Sequence, residues 1–410
     1  MDQARPTQVR PAGADPAEAR PTAEFRALYG REPEGVWAAP GRVNLIGEYT
    51  DFNDGFVMPL ALPHTARFAV ARRTDGVLRL HSGDSAAGTD GGRGGVVELR
   101  VDELKPLDAS GGWWRYPAGV VWALGRRGYA AEVAGGADVH LRSTVPTGAG
   151  LSSSAALEVG LALALRDLYE LPLGRPELAQ LCQYAENAFV GVPCGIMDQT
   201  ASACCEEGHA LHLDTRDLSR RQIPFDLPAH GLALLVVDTR VTHALGDGAY
   251  AERRAGCEEG ARQLGVSHLR DVPHEELDAA LGKLTGESVR RYVRHVVTDN
   301  HRVGLVTGHL DAGDVRAIGP VLLEGHASLR DDLRISCPEL DLVVETAART
   351  PGVHGARMTG GGFGGSAIVL VEESAVADVS HRVASAFEAA GHRAPRVFPA
   401  TPSAGARQLA

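Results

Sequence analysis

Three glycine-rich, polar stretches interrupt this chain where strands or helices should be burying apolar side chains. Their order along its 410 residues constrains the fold more than any other feature. The first, at 41–59, reads G-R-V-N-L-I-G-E-Y-T-D-F-N-D-G-F-V-M-P. It sets a cation, Arg42, and two carboxylates, Glu48 and Asp51, among tight-turn glycines around a short apolar run. The second, at 146–156, reads P-T-G-A-G-L-S-S-S-A-A, and the third, at 355–365, reads G-A-R-M-T-G-G-G-F-G-G. Polar groups gathered where a strand should be buried generally serve a ligand.

The second stretch has a direct physical reading. Gly148 and Gly150 let the backbone turn its N–H groups inward at a helix start. The helix N-terminus adds free donors and partial positive charge. Together they suit the phosphates of a nucleotide. Ser152, Ser153 and Ser154 either cap the helix or supply a hydroxyl to Mg²⁺. Downstream, Glu186 is either a solvated helix carboxylate or a Mg²⁺ ligand, since Mg²⁺ takes oxygen ligands and few protein carboxylates. Asp198, in G-I-M-D-Q, is either a helix cap or the base or anchor for a reacting hydroxyl. The third stretch formally contains G-x-G-x-x-G, but a strand rather than a helix follows at 366–371, so a dinucleotide-binding fold is rejected. So glycine-rich a loop lets backbone approach a ligand or a neighbouring loop.

Composition narrows the function. The net charge is −11 and no block of Lys or Arg stands out, which argues against nucleic acid or an anionic membrane as partner. Lys105 and Lys283 are the only lysines, and no G-x-x-x-x-G-K-[ST] occurs, so a Walker P-loop is excluded. Any phosphate site relies on backbone N–H groups, arginine and metal. The six cysteines show neither a C-x-x-C pair nor zinc spacing, and read as reduced thiols of a cytoplasmic protein. No apolar run is long enough to span a bilayer.

The periodicity predicts strands at 138–141, 232–237 and 366–371. It predicts helices from the serines to about 169, from 176 to 190, and from 247 to 264. The stretch 83–95 reads as a mobile loop. Residues 1–22, rich in Pro, Ala, Arg and Asp and without an apolar signal core, read as a disordered tail. Two domains are expected, at 23–228 and 229–410.

From about Phe25 to the C-terminus the chain resembles the galactokinases, a branch of the GHMP small-molecule kinases that include homoserine, mevalonate and phosphomevalonate kinases. The first stretch looks like the galactokinase signature, the second like the wider family's phosphate loop, the third like its last motif. The resemblance implies a two-domain α+β GHMP kinase fold, with an S5-domain-2-like N-terminal domain and a ferredoxin-like C-terminal domain around a cleft. It implies ATP- and Mg²⁺-dependent phosphorylation of galactose at C1, in the Leloir pathway. Asp198 matches the residue that accepts or orients the sugar's C1 proton, and Arg42 the arginine that stabilises the transferring phosphoryl group. Glu48, Tyr49, Thr50, Asp51, Gly195 and Tyr250 match positions at the sugar. Gly148, Ala149, Gly150, Leu151, Ser152, Ser153 and Ser154 match the triphosphate cradle, with Ser154 and Glu186 on Mg²⁺. Trp113, with Trp114 as rival, matches an adenine-stacking residue, and Ser82 a further nucleotide contact. The partners implied are sugar and ATP; the sequence does not fix the oligomeric state, and a monomer is favoured over an assembly.

One departure stands out. Tyr49 occupies a position where the family usually has histidine, near the sugar's C6; Phe52 replacing tyrosine is milder. Either Tyr49 shifts tolerance at C6, towards a pentose such as L-arabinose or a modified hexose, or it replaces the histidine's hydrogen bond. Rival readings are a kinase for arabinose, N-acetylgalactosamine or a uronic acid, and a non-catalytic sugar sensor. Ser154-Ala155 and Asp198, the residues a sensor lacks or does not need, argue against the sensor.

Overall fold

The structure is a computed structural model that describes residues 16–84, 95–106, 112–242 and 246–410. A six-stranded sheet runs in the order Arg407–Gln408, Gly35–Asn44, Pro59–Arg72, Ala137–Ser143, Val77–Ser82, Val97–Arg100. Its pairs are antiparallel except the one between Val77–Ser82 and Ala137–Ser143. A four-stranded antiparallel sheet runs Val353–Thr359, Gly364–Glu372, Leu232–Thr242, Arg396–Pro399. A small three-stranded sheet joins Phe56–Val57 to His209–Asp214 and Arg220–Pro224.

The strand Gly35–Asn44 is buried along its whole length, because helices Ser153–Leu168 and Met197–Cys204 lie against it. Strand Gly364–Glu372 is also covered on both faces. Ile368 and Leu370 enter the core of the first sheet, while Ala367, Val369 and Val371 enter a second core. That alternation follows from the two-residue period of a strand. No described helix is long and apolar enough to cross a membrane.

Most expected elements are present with longer bounds. The strands are Ala137–Ser143, Leu232–Thr242 and Gly364–Glu372, and the helices Ser153–Leu168 and Gly246–Leu264. The helix expected to reach 190 runs Arg175–Ala185 and continues as a wider turn, Glu186–Val190. Two expectations change. Residues 1–15 and most of the 83–95 loop lie outside the described residues, but 16–22 are not a loose tail. They open helix Pro16–Tyr29, whose Phe25 packs on Val36, Ala69 and Ala71 of the first sheet. Of its prolines, Pro16 opens the helix and Pro21 lies within it. The division at 228/229 also fails for the last residues, because Arg407–Gln408 pairs with Trp37 and Ala38.

Helix Ser153–Leu168 follows the glycines of the second stretch, and ten of its sixteen residues are buried, which explains its Ala- and Leu-rich composition. Gly160 sets how close it lies: a Cβ there would meet Phe68 Cε2 at 2.2 Å. A mid-helix glycine costs about 1 kcal/mol relative to alanine, so this close packing is what keeps it. Gly160→Ala is therefore expected to destabilise the protein by about 1–3 kcal/mol through overpacking against Phe68, measured by urea unfolding.

Candidate active site

Arg42 is the hub of the site. It lies just past a bulge at Gly41, where a Cβ would meet Leu151 O at 2.6 Å. The bare glycine lets the 148–154 loop come up against the strand, and Leu151 O accepts from Arg42 N–H at 3.1 Å. The guanidinium then grips two elements. Nε and Nη2 donate to Asp198 Oδ1 and Oδ2 at 2.8 and 2.9 Å, and Nη1 donates to Gly150 O at 2.7 Å. Arg42 is buried, whereas the Asp198 side chain keeps 26% of its surface open. The pair therefore presents a carboxylate, not a cation, to the cleft.

Ser152 precedes helix Ser153–Leu168 in a left-handed conformation, φ 56°. Its hydroxyl makes no cap bond and instead donates to Asp198 Oδ2 at 2.5 Å. The helix's first N–H groups are thus left to a ligand, as anion sites at helix N-termini require. The third glycine stretch closes over this loop. A Cβ at Gly360 would meet Gly150 O at 2.6 Å, and Ser366 Oγ donates to Ala149 O at 2.8 Å. The loops line a cavity of about 200 Å³ bounded by Gly148, Gly150, Val241 and 361–365.

Beside Asp198 lies an acidic cluster. Glu186 is buried, not solvated, and the Ser154 hydroxyl beside it favours its charged form. Gln199 Nε2 donates to Glu186 Oε2 at 2.6 Å and to Glu158 Oε2 at 3.1 Å. Cys194 Sγ also donates to Glu186, at 3.5 Å. Burial, then the neighbouring Asp198 charge, pushes the Glu186 carboxyl up; burial and Glu186 push Glu158 well up. Glu158 Oε1 is buried without a partner. Among the described residues no group of three or more His, Cys, Asp or Glu is placed to hold a metal ion; the oxygens a hard cation could use here are the Glu186 carboxylate and the Ser154 hydroxyl.

The first stretch forms a loop pinned from below. Asp299 Oδ2 accepts from Gly47 and Glu48 N–H at 3.1 and 3.0 Å, and Glu48 O meets His295 Nε2 at 3.0 Å. Glu48 Oε1 accepts from Gly360 N–H at 2.8 Å and lies 3.7 Å from the buried Arg357 Nη2. Burial nevertheless raises the Glu48 carboxyl affinity for protons. The Thr50 hydroxyl bonds Phe56 O at 2.6 Å, so it shapes the loop. Asp51 sits against Gly195: a Cβ there would fall 1.7 Å from Asp51 Oδ2, so only glycine admits the carboxylate. Tyr49, Phe52 and Tyr250 form a ring cluster, with the Tyr49 and Tyr250 centroids 4.9 Å apart. Trp113 and Trp114 pack half-buried on the first core, and Ser82 ends strand Val77–Ser82, where its hydroxyl accepts from Asp84 N–H at 3.4 Å.

The structure thus joins Arg42, Asp198, Gly150 and Ser152 directly, and Asp51 to Gly195. Sequence reasoning missed Glu158, Gln199, Asp299 and Arg357. A signal existed for Glu158: it lies four residues after Ser154 on one helix, hence on the same face, in an otherwise apolar run.

Residues 115–206 match the GHMP kinases N terminal domain, and 308–389 the GHMP kinases C terminal family. With the two-domain α+β fold, these matches define a GHMP small-molecule kinase. Residues 23–72 match the galactokinase galactose-binding signature. A galactokinase of Streptomyces coelicolor is 66% identical over 386 residues, covering 94% of this chain and 97% of its own. A human galactokinase is 43% identical over 359 residues, covering 88% of each. The crystal structure of Lactococcus lactis galactokinase complexed with galactose superposes with a TM-score of 0.89 at 32% identity, covering 95% of this chain and 99% of that one. The Methanococcus jannaschii mevalonate kinase, 19% identical, shares the fold with a TM-score of 0.60, covering 92% and 98%. The chain belongs to the galactokinase family and is a kinase.

Burial, and after it the Asp198 charge, pushes the Asp51 carboxyl up to about 6. An acid with a raised folded pKa holds a proton that the unfolded chain releases between about pH 4 and 6, so stability falls as pH rises through that window. Asp51→Asn removes this cost. It is expected to raise Tm more at pH 8 than at pH 4, as measured by calorimetry at both pH values.

Proposed function

We propose that this chain transfers the γ-phosphoryl group of ATP to the C1 hydroxyl of α-D-galactose, giving galactose 1-phosphate and ADP as an entry to the Leloir pathway. The observation that carries the reading is Asp198, partly open to solvent and fixed by Arg42 and Ser152 beside the 148–154 loop.

The chemistry asks for positioning and neutralised charge rather than covalent catalysis. A carboxylate offers roughly four lone-pair sites. Arg42 fills two on Asp198 and Ser152 a third, which leaves room for one sugar hydroxyl. Asp198 orients that hydroxyl and takes its proton as the oxygen bonds to γ-phosphorus and the bond to the bridging oxygen of ADP breaks. Arg42 holds the carboxylate and adds positive potential at the transferring group. Asp51, with the Gly195 backbone against it, and Tyr250 form the sugar side. Glu48 acts beneath them through Gly360. The N–H groups at 148–154 cradle the phosphates. Ser154 and Glu186 would hold Mg²⁺, which when bound offsets phosphate charge. Trp113 and Ser82 are assigned to the nucleotide's base end, on the family pattern alone.

The reading is tested by ADP release with MgATP over D-galactose, 2-deoxygalactose, N-acetylgalactosamine, L-arabinose, galacturonate and glucose. Turnover led by D-galactose is expected; turnover led by another sugar overturns the substrate assignment. Asp198→Asn keeps the shape but loses the proton acceptor, and kcat is expected to fall about 10²–10⁴-fold with the fold intact by circular dichroism. Full turnover by that variant removes Asp198 from the mechanism.

A further inference from the structure

The departure at residue 49 has a structural role of its own. Tyr49 is buried, and its ring packs between Phe52 and Tyr250. Its backbone takes the left-handed conformation, φ 63°, which a non-glycine residue adopts only when its surroundings hold it there. The proton of its hydroxyl is committed: it donates to Gly361 O at 2.8 Å.

Gly361 is the exposed apex of the 360–365 loop, and a Cβ there would meet nothing within 4 Å. The rest of the loop is anchored on either side. Gly360 N–H donates to Glu48 Oε1, and Phe363 N–H donates to Ile335 O at 2.6 Å. Five of its residues, Gly360, Gly362, Phe363, Gly364 and Gly365, take positive φ, a backbone with wide conformational freedom when unbound. Between the anchors, the phenol of Tyr49 holds the apex from beneath. Adjacent residues of the first stretch, Glu48 and Tyr49, therefore grip adjacent residues of the third. The gripped loop forms one wall of the cavity whose other wall is Gly148 and Gly150.

We propose that Tyr49 is a positioning residue. Its hydroxyl latches the 360–365 loop over the phosphate cradle, and so ties the geometry of the sugar loop to nucleotide binding. Its contribution is to the nucleotide side of the cleft, not to recognition of the sugar's C6. This rests on the galactokinase reading only for the identity of the two ligands.

Tyr49→Phe removes the O–H alone and keeps the ring packing. In steady-state assays with D-galactose and MgATP, the variant is expected to raise KM for ATP about tenfold, as losing one buried hydrogen bond implies, with KM for galactose little changed. Hydrogen exchange, followed by mass spectrometry without ligand, is expected to speed up at 360–365 and to stay unchanged in helix Ser153–Leu168. An unchanged exchange rate at 360–365, equal changes in both KM values, or a change in galactose KM alone overturns the latch. A lower Tm with both KM values unchanged also overturns it, as a purely structural role. If the wild-type protein fails to phosphorylate galactose, the substrate reading fails separately, and the exchange measurement alone decides the latch.

Discussion

The contact on which the site depends is the two-pronged ion pair between Arg42 and Asp198. Arg42 comes from the first strand, Asp198 from the first turn of helix Met197–Cys204, and the third guanidinium nitrogen holds Gly150 of the phosphate loop. A buried guanidinium must have its donors satisfied, and losing one partner of such a pair generally costs about 3–5 kcal/mol. The planar fork fixes direction as well as distance, which a lysine could not do. Three segments far apart in sequence are thus held in one register, with the Asp198 carboxylate partly open to solvent.

Around this pair the charge is unbalanced by design of the packing. Glu186, Glu158, Asp51 and Asp198 crowd one side of the cleft, and Gln199 bridges two of them with one amide nitrogen. Burial and mutual repulsion raise the proton affinity of the first three. Such a cluster is tolerable where cationic or hydrogen-bonding ligands arrive to neutralise it. Stability is given up locally, and the extensive cores on either side of the cleft absorb the cost.

The glycines do a second job. At 41, 195 and 360 a Cβ would collide with Leu151 O, Asp51 Oδ2 and Gly150 O. Each marks a place where one segment's backbone meets another segment across the site. Apart from Val241 and Phe363, the cavity between these loops is lined by glycines, so most of its wall is peptide groups. Peptide N–H groups need no titration and little reorganisation when charge moves on a phosphate.

The sequence by itself determined the order of its motifs and most strands and helices, because apolar periodicity and glycine punctuation are local properties; the class of fold came from the family resemblance that those motifs carry. It also singled out Arg42, Asp198, Ser154 and Glu186, since charged or hydroxyl side chains in such segments are conspicuous. Only the tertiary structure decided who meets whom. Glu186 read equally as a surface carboxylate until helix Met197–Cys204 brought Gln199 onto it. Glu158, Asp299 and Arg357 drew no reading from the sequence, and the fold rests the first loop on the latter two. Tyr49 looked like a sugar contact, and the fold turned its hydroxyl to Gly361, 312 positions away. The tail at 16–22 became a helix because Phe25 found the outer face of the sheet. Contacts between residues hundreds of positions apart leave no periodic trace in a sequence; they are set when two covered sheets pack and their loops meet at the cleft.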